Sequence, residues 1–369
     1  MRASGSSAGA CSTWPWPSSS ATPTATSGAW PTTCSRRGAE MPRYTGPVSD
    51  HFDGERFHNG TPFGKTAAEL LRWRLSRKRG QWERDLSPHD QPRPPERVGE
   101  GGLRATWINQ ATVLLQADGL NLLTDPVWSD RVSPVQWAGP RRYRAPGIPF
   151  GDLPRVDVVV ISHNHYDHMD AGTLRRLWRE HDPVFVTALG DAHHLRGWGL
   201  EKVVELDWGQ SWTLPNGRPL TAARAQHWSG RAGHDANRTL WMACVIGTAG
   251  GPVYFAGDSG YGAHFAEARR RHGAMRLSLL PIGAYLPRWF MAYQHMDPAE
   301  AVRAHLDLGS AFSLGIHYGS FELADDGQHQ AVDDLHQALD AQGLPRERFH
   351  AAAFGRGYDV PALAAGSHR

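Results

Sequence analysis

The feature that most constrains the fold is a buried strand that ends in a cluster of histidines and an aspartate. Residues 155–162, RVDVVVIS, are a continuous apolar and β-branched run, which predicts a buried strand. The polar cluster HNHYDH begins directly after it. His163 and His165 point the same way in extended chain, and Asp167 and His168 follow where the chain turns. Imidazole and carboxylate groups bind zinc, iron or manganese, so we interpret the cluster as part of a metal site. The alternative is a solvated polar turn, or an aspartate that caps the next helix.

Three later apolar runs also end in a histidine or an aspartate. LTAARAQH ends at His227, PVYFAGD ends at Asp258, and FSLGIH ends at His317. Each is unremarkable alone, because a strand-terminal histidine is usually structural and an aspartate before Ser-Gly is usually a turn residue. Together with the first cluster they give seven candidate ligands, five histidines and two aspartates. This set suits two metal ions, one held by three histidines with an open position for water, the other sharing a carboxylate with it.

Composition excludes several other classes of protein. The chain has 369 residues and a formal net charge of +2, so it suits one large α/β domain or two small ones, and nothing indicates nucleic-acid binding. Cys11, Cys34 and Cys244 are too few for a disulfide framework or a Cys-rich zinc site, and they fit a reducing compartment. No apolar run is long enough to span a bilayer. We therefore expect a cytoplasmic protein.

The first forty residues differ from the rest of the chain. They are rich in Ser, Thr, Ala, Pro and Gly, with almost no aliphatic core residues, so we expect residues 1–40 to be disordered. They lack the apolar centre of a secretory signal; a transit peptide is left open, and a misassigned start codon, with the true start at Met41, is the plainer hypothesis. We predict an N-terminal extension over 41–100, with an amphipathic basic helix over 67–82, and a main domain over 101–369.

Strands and helices alternate through the main domain. Strands are predicted at LRATWI, TVLLQA, LNLLTD, PVFVTA, KVVELD, LTAARAQ, TLWMACVIG, PVYFAGD, LSLLPI and FSLGIH, in addition to the strand 155–162. Helices are predicted near 170–180, 191–198, 262–272, 297–306 and 328–342. Asp118-Gly119 predicts a hairpin turn, and the Pro-, Trp- and Arg-rich stretch 126–150 predicts a long binding loop. Two strand-rich halves with helices outside predict two sheets packed face to face between helical layers.

The ligand pattern as a whole resembles that of the metallo-β-lactamase superfamily. The likeness extends to N-acyl-phosphatidylethanolamine-hydrolysing phospholipases D over roughly residues 45–360. It is carried by the segments WINQATVLLQADGLNLLTDPVWSDRVSP, AQHWSGR, FAGDSGYG and LPIGAYLPRWFMAYQHMDPAEAVRAHLDL. The segment 281–307 is the most specific, although Leu286 stands where the family usually has Glu. The resemblance implies an α/β fold, the αββα four-layer sandwich, with residues 101–369 as the hydrolase domain.

The resemblance also implies a role for each candidate ligand. His163, His165 and His227 would hold one Zn²⁺, Asp167, His168 and His317 would hold a second, and Asp258 would bridge the two ions. Asp167 would also act in catalysis as a proton carrier.

His295 is left over from this metal count. It precedes a helix for which Asp297 is the predicted N-cap and Pro298 the first residue, so one interpretation is a helix-start residue. The resemblance implies instead that His295 is catalytic and contacts the phosphate region of the substrate.

The substrate implied by the resemblance is a phospholipid, cleaved as by a phospholipase D to phosphatidic acid and an N-acylethanolamine. Tyr285, Trp289, Phe290 and Tyr293 would form an apolar lip for acyl chains beside His295; the alternative is that they only pack. We expect peripheral membrane contact through 126–150, the aromatic residues of 285–293 and helix 67–82. A homodimer is left open.

Two other functions are compatible with the residues. One is a hydrolase of the same fold that acts on a lactone or a nucleotide phosphodiester, because one dinuclear site serves carboxyl and phosphoryl substrates alike. The other is a di-iron redox scaffold, which would be expected to carry a flavin-binding module that is not evident in this sequence.

Overall fold

Most of the predicted strands and helices are present in the computed structural model, which describes residues 44–60 and 65–364. The strands are β1 (Leu103–Asn109), β2 (Thr112–Ala117), β3 (Leu120–Thr124), β4 (Val158–Ile161), β5 (Val184–Ala188), β6 (Val203–Leu206), β7 (Ser211–Thr213), β8 (Pro219–Ala223), β9 (Ala243–Ile246), β10 (Val253–Phe255), β11 (Leu277–Pro281), β12 (Phe312–Ile316), β13 (Phe349–Ala351) and β14 (Gly357–Asp359). The helices are α1 (Ala67–Ser76), α2 (Ala171–His181), α3 (Ala192–Gly197), α4 (His264–His272), α5 (Arg288–Met291), α6 (Pro298–Asp307) and α7 (Gln330–Ala341). The forty N-terminal residues lie outside the described part.

The strands form two seven-stranded sheets, in the orders β14-β1-β2-β3-β4-β5-β6 and β13-β12-β11-β10-β9-β8-β7. Each sheet is antiparallel at one end and parallel at the other: β1, β2 and β3 pair antiparallel, whereas β3, β4, β5 and β6 pair parallel. In the hairpin of β2 and β3, Ala117 pairs with Leu120, so Asp118 and Gly119 form the two-residue turn, both with positive φ.

Alternating side chains of the interior strand β4 pack into two separate cores. Val158 and Val160 belong to the large core that also contains residues of the second sheet, such as Leu220 and Val245. Val159 and Ile161 face the other way, into a core that includes residues of α2 and α3. Helices α4, α6 and α7 cover the second sheet. The predicted αββα sandwich is therefore confirmed, and β4 is buried on both faces.

The helix predicted over 67–82 is shorter than expected. Helix α1 begins with a capping box between Thr66 and Glu69 and ends at Ser76. Arg77 leaves the helix because its guanidinium is held by the Asp325 carboxylate, at 2.7 Å, and by the Ala324 carbonyl, at 2.7 Å. No residue of α1 is buried.

The N-terminal extension contacts both sheets. Residues 44–60 lie against the segment around His227. Residues 77–97 form hydrogen bonds with residues in 116–157 and 325–328. The division of the chain into an extension and a hydrolase domain stays a prediction.

Candidate metal centre

The seven candidate ligands all follow the ends of strands, and the structure brings them together at one edge of the two sheets. The loop after β4 carries His163, His165, Asp167 and His168. The second sheet supplies the other three, which follow β8, β10 and β12 and are His227, Asp258 and His317. The aspartate that caps helix α2 is Asp170, which accepts from Gly172 N–H at 3.1 Å, so Asp167 does not serve as the cap.

Three histidines form the first group. His163 Nε2 lies 2.8 Å from His165 Nδ1, and His227 Nε2 lies 3.3 Å from the same atom. One ring nitrogen of each histidine therefore points at a common place. These three residues are the set that the resemblance assigns to the first ion.

Two carboxylates and two imidazoles form the second group. His168 Nε2 lies 3.2 Å from Asp167 Oδ2 and 3.1 Å from Asp258 Oδ2. His317 Nε2 lies 3.2 Å from Asp167 Oδ2 and 3.2 Å from Asp258 Oδ1. Asp258 Oδ2 also comes within 3.8 Å of His227 Nε2, so this carboxylate reaches both groups.

The donor atoms are arranged to bind divalent cations rather than to hydrogen-bond with one another. In each group the ligand atoms all lie within 4.8 Å of one another, and every residue except the partly exposed His165 is buried. Asp258 Oδ1 is buried with no hydrogen-bond partner among the described residues. Three converging imidazole nitrogens cannot satisfy each other with hydrogens, whereas a cation accepts a lone pair from each.

Electrostatics favour a cation at both groups. Burial lowers the pKa of His165 to about 4 and of His227 to about 3, so their nitrogens keep free lone pairs at neutral pH. Burial also opposes charge on His317, but Asp258 and Asp167 outweigh it and raise the pKa of His317 to about 9. The second group is therefore a buried pair of carboxylates that needs positive charge, which a metal ion would provide.

Asp125 supports one histidine of each group from behind, and the sequence interpretation missed it. Its Oδ2 accepts from His168 Nδ1–H at 2.6 Å and from the Ser162 hydroxyl at 2.5 Å. The same hydroxyl lies 2.9 Å from His163 Nδ1. Both rings are thus held with Nε2 towards the metal groups, as outer partners of metal ligands usually do. In the sequence, Asp125 is the acidic last residue of the run LNLLTD, which contains β3, the strand next to β4 in the sheet.

Asn59, in the N-terminal extension, is a second residue that was missed. Its Nδ2 donates to the His227 carbonyl at 2.8 Å and to the Tyr293 hydroxyl at 3.1 Å, while its Oδ1 accepts from Trp241 Nε1–H at 3.1 Å. The His227 ring is fixed by its Nδ1, 2.9 Å from the Gln294 carbonyl. The extension therefore contributes to the placement of a candidate ligand.

A cleft of about 780 Å³ opens onto the metal groups. Its floor includes His165, Asp167, Asp258, His295 and His317. Its walls are largely apolar and aromatic, from Leu70, Trp73, Val132, Trp228, Phe290, Met291 and Leu323. A pocket of this size and character is typical of a small-molecule site.

The aromatic residues predicted to bind substrate separate into two sets. Phe290 lines the cleft, where it stacks on Trp73 with ring centres 4.9 Å apart. Trp289, 46% exposed, lies under the Arg72 guanidinium, and Tyr293 binds Asn59; neither is among the residues that line the cleft in the described part of the chain. Tyr285 is buried in the large core and its hydroxyl donates to Asp334, which favours the packing alternative for this residue.

His295 lies on the cleft floor between the two groups. Its Nδ1 is 3.9 Å from Asp258 Oδ2 and has no hydrogen-bond partner among the described residues. Arg288 holds the loop, because it donates to the His295 carbonyl at 2.9 Å and to Glu300 at 2.6 Å. The predicted cap is confirmed: Asp297 accepts from Glu300 N–H, and Pro298 begins α6.

Fold and site together define the class of metal-dependent hydrolases with the metallo-β-lactamase fold. Residues 120–318 match the family described as the beta-lactamase superfamily domain, and the chain belongs to this superfamily. An isothiocyanate hydrolase from Delia radicum gut bacteria has a similar fold, with a TM-score of 0.57 at 21% identity over 70% of this chain and all of that one.

Within the superfamily, the chain is similar to N-acyl-phosphatidylethanolamine-hydrolyzing phospholipases D. The phospholipase D 1 of this type from Caenorhabditis elegans is 37% identical over 254 residues, which cover 66% of this chain and 71% of that protein. An uncharacterized protein of Mycobacterium tuberculosis is 41% identical over 245 residues. The chain spans 65% of the length of that mycobacterial relative, and the match covers 65% of this chain.

Within the described part of the chain, no helix combines the length and the apolar character that crossing a bilayer requires.

Proposed function

We propose that this protein hydrolyses a phosphodiester with two Zn²⁺ ions, in the manner of a phospholipase D. The substrate would be N-acyl-phosphatidylethanolamine or a related lipid, cleaved to phosphatidic acid and an N-acylethanolamine. The observation that carries the proposal is the shared carboxylate: Asp258 lies 3.1 Å from a nitrogen of one group and 3.8 Å from a nitrogen of the other, at the floor of an apolar cleft.

The metal centre would be held by the residues of the two groups, with Asp258 common to both. When bound, two such ions lower the pKa of water towards about 7 and offset charge on a phosphoryl group. Asp125 contributes by keeping His163 and His168 in the tautomer that presents Nε2. The buried Asp167 and Asp258 would balance the charge of the ions.

Two residues on the cleft floor would act on the substrate. Hydrolysis adds water oxygen to phosphorus, breaks the bond to the ethanolamide oxygen and leaves that oxygen needing a proton. Asp167 lines the cleft and would carry this proton to the leaving oxygen. His295 faces the cleft with an unpartnered Nδ1, so it would contact a phosphate oxygen and orient the diester.

The cleft walls support a lipid as substrate. Phe290, Met291 and Leu323 line the cleft together with Leu70 and Trp73 of α1, and Trp73 stacks on Phe290. Such a surface would bind acyl chains by apolar burial. The similarity to the C. elegans phospholipase D supports the same substrate class.

Membrane contact is part of this proposal, because the substrate resides in a bilayer. Large apolar side chains are exposed on the elements that we expect to bind it: Trp137 is 83% exposed in the loop 126–150, and Leu75 is 80% exposed on α1. Trp289 adds a further exposed aromatic ring near the cleft. These residues would insert between head groups.

The decisive experiment offers four substrates in parallel to zinc-loaded protein. They are N-acyl-phosphatidylethanolamine, phosphatidylcholine, bis(p-nitrophenyl) phosphate and an acyl-homoserine lactone. We expect N-acyl-phosphatidylethanolamine to be cleaved best, with ¹⁸O from labelled water on phosphatidic acid. Lactone opening as the only activity would overturn the phosphodiesterase proposal and leave the metal centre standing.

A further inference from the structure

A buried glutamine that belongs to neither metal group touches both a carboxylate and an imidazole of the second group. Gln110 lies in the turn between β1 and β2 and is 1% exposed. Its φ of 44° is in the left-handed region, which a residue other than glycine rarely adopts. A strained residue held in place at a site is a reason to ask what its side chain does.

Three hydrogen bonds hold the backbone of Gln110 in this conformation. Its N–H donates to the Ser320 hydroxyl at 2.8 Å. Its carbonyl accepts from Trp107 Nε1–H at 2.9 Å and from the backbone N–H of His317 at 2.8 Å. The last bond ties the backbone of the glutamine directly to the backbone of a candidate metal ligand.

The side-chain amide reaches the ligand atoms themselves. Gln110 Nε2 donates to Asp167 Oδ2 at 2.9 Å and lies 2.8 Å from His317 Nε2. An imidazole nitrogen has one lone pair, which an ion would take, whereas a carboxylate oxygen has lone pairs for an ion and an N–H together. The hydrogen bond to Asp167 is therefore the contact that is compatible with a bound metal.

We infer that Gln110 is a positioning residue of the second metal group. Its amide donates to Asp167 Oδ2 and would hold this oxygen in place for an ion, and Gln110 is not among the described residues that line the cleft. Gln110 thereby sets the affinity of the group Asp167, His168, Asp258 and His317 for its ion. The inference rests on the proposed two-metal centre but not on the lipid substrate.

The test measures metal binding and needs no substrate. Apoprotein is titrated with Co²⁺, followed by calorimetry and by visible absorption of the bound ion. Gln110→Asn is the main variant, because asparagine tolerates positive φ well but its amide is one methylene too short to reach Asp167. Gln110→Met keeps the length and removes the donor. We expect both to weaken one of the two binding steps about ten- to a hundredfold, the usual effect of losing an outer partner.

Repeating the titration in the His227→Ala background shows which metal group is affected by the weakened binding step. In His227→Ala only the four-ligand group keeps all its residues, and there the variants should reduce the affinity for the single remaining ion by the same factor. Gln116→Met is the matched control, since Gln116 is also a fully buried glutamine but donates to Pro95 and Asn121 instead. It should bind both ions as the wild type does.

The outcomes separate the inference from the proposed function. Wild-type affinities and an unchanged Co²⁺ spectrum in Gln110→Asn and Gln110→Met would overturn the role of Gln110 and leave the metal centre intact. A wild-type protein that binds no ion tightly would overturn the two together. Loss of ion from Gln116→Met to the same extent would show that any buried polar deletion has this effect, and would also overturn the inference.

Discussion

Asp125→Asn tests how the metal ligands are oriented. The substitution is nearly isosteric, and the oxygen it keeps can still accept from the Ser162 backbone N–H, now 2.7 Å from Asp125 Oδ1. It replaces Oδ2, which is 2.6 Å from His168 Nδ1, by an amide group that donates. Two donors cannot face each other, so His168 must move its proton from Nδ1 to Nε2. That nitrogen is the one aimed at Asp167 and Asp258, and once protonated it cannot bind an ion.

The size of the effect follows from the number of groups that depend on Asp125 Oδ2. Loss of one outer partner of a metal ligand costs about 10- to 100-fold in metal affinity, or about 1.4–2.8 kcal/mol. Oδ2 supports two donors, His168 and the Ser162 hydroxyl, and the latter also contacts His163. We therefore expect about 100-fold weaker binding at the second group and about tenfold weaker binding at the first.

Competition with a chelator of known affinity measures the dissociation constants of both metal ions, and ¹⁵N NMR of labelled histidine reports the tautomer of His168. Asp118→Asn is the control, because Asp118 is also buried and accepts two backbone N–H groups, from Gly101 and Ala249, far from the ligands. It should lower the melting temperature and leave both affinities unchanged. If Asp125→Asn binds both ions within twofold of wild type and His168 keeps its proton on Nδ1, the reasoning is refuted.

Three further outcomes are expected. His163→Ala should lose one ion and all activity but keep its fold, which apolar burial stabilises. Removal of both ions by a chelator should likewise abolish activity and leave the fold intact; turnover by metal-free protein would contradict this. His295→Ala should slow lipid cleavage more than tenfold, a barrier increase of about 1.4 kcal/mol, with both ions still bound; loss of an ion would instead make His295 a ligand. Trp137→Ala and Trp289→Ala should weaken binding to phospholipid vesicles in a flotation assay, whereas Leu306→Ala on α6 should not; a wild-type protein that ignores anionic and zwitterionic vesicles alike would sink the membrane proposal.

The sheets and the ligand positions were predictable because both follow from strong local patterns. The interior strands are apolar runs of three to seven residues with clear polar ends. Strands β7, β13 and β14 were missed because each has only three residues and pairs at the edge of a sheet, where no apolar run is needed. Helix α1 was predicted too long, since its end is set by contacts of Arg77 with residues far along the chain.

The supporting residues of the site were not predictable in the same way. Gln110 lies in a turn and acts on Asp167, 57 residues further along the chain. Asn59 lies in a segment without periodicity and binds the His227 carbonyl, 168 residues away. Tyr285 shows the opposite case, because an aromatic residue inside a specific motif turned out to lie in the core. Local patterns identify ligands at strand ends, whereas the partners behind them depend on how distant loops meet.

The division of the ligands between the two sheets has a consequence for the lifetime of the protein. The loop after β4 belongs to the first sheet, whereas His227, Asp258 and His317 follow strands of the second. An ion bound by either group would therefore link the two sheets of the sandwich. Each ion at a hundred times its Kd would add about 2.7 kcal/mol to the free energy of unfolding. A chain made when metal is scarce would open more often and be degraded sooner, so the abundance of the protein would follow the metal supply of the cell.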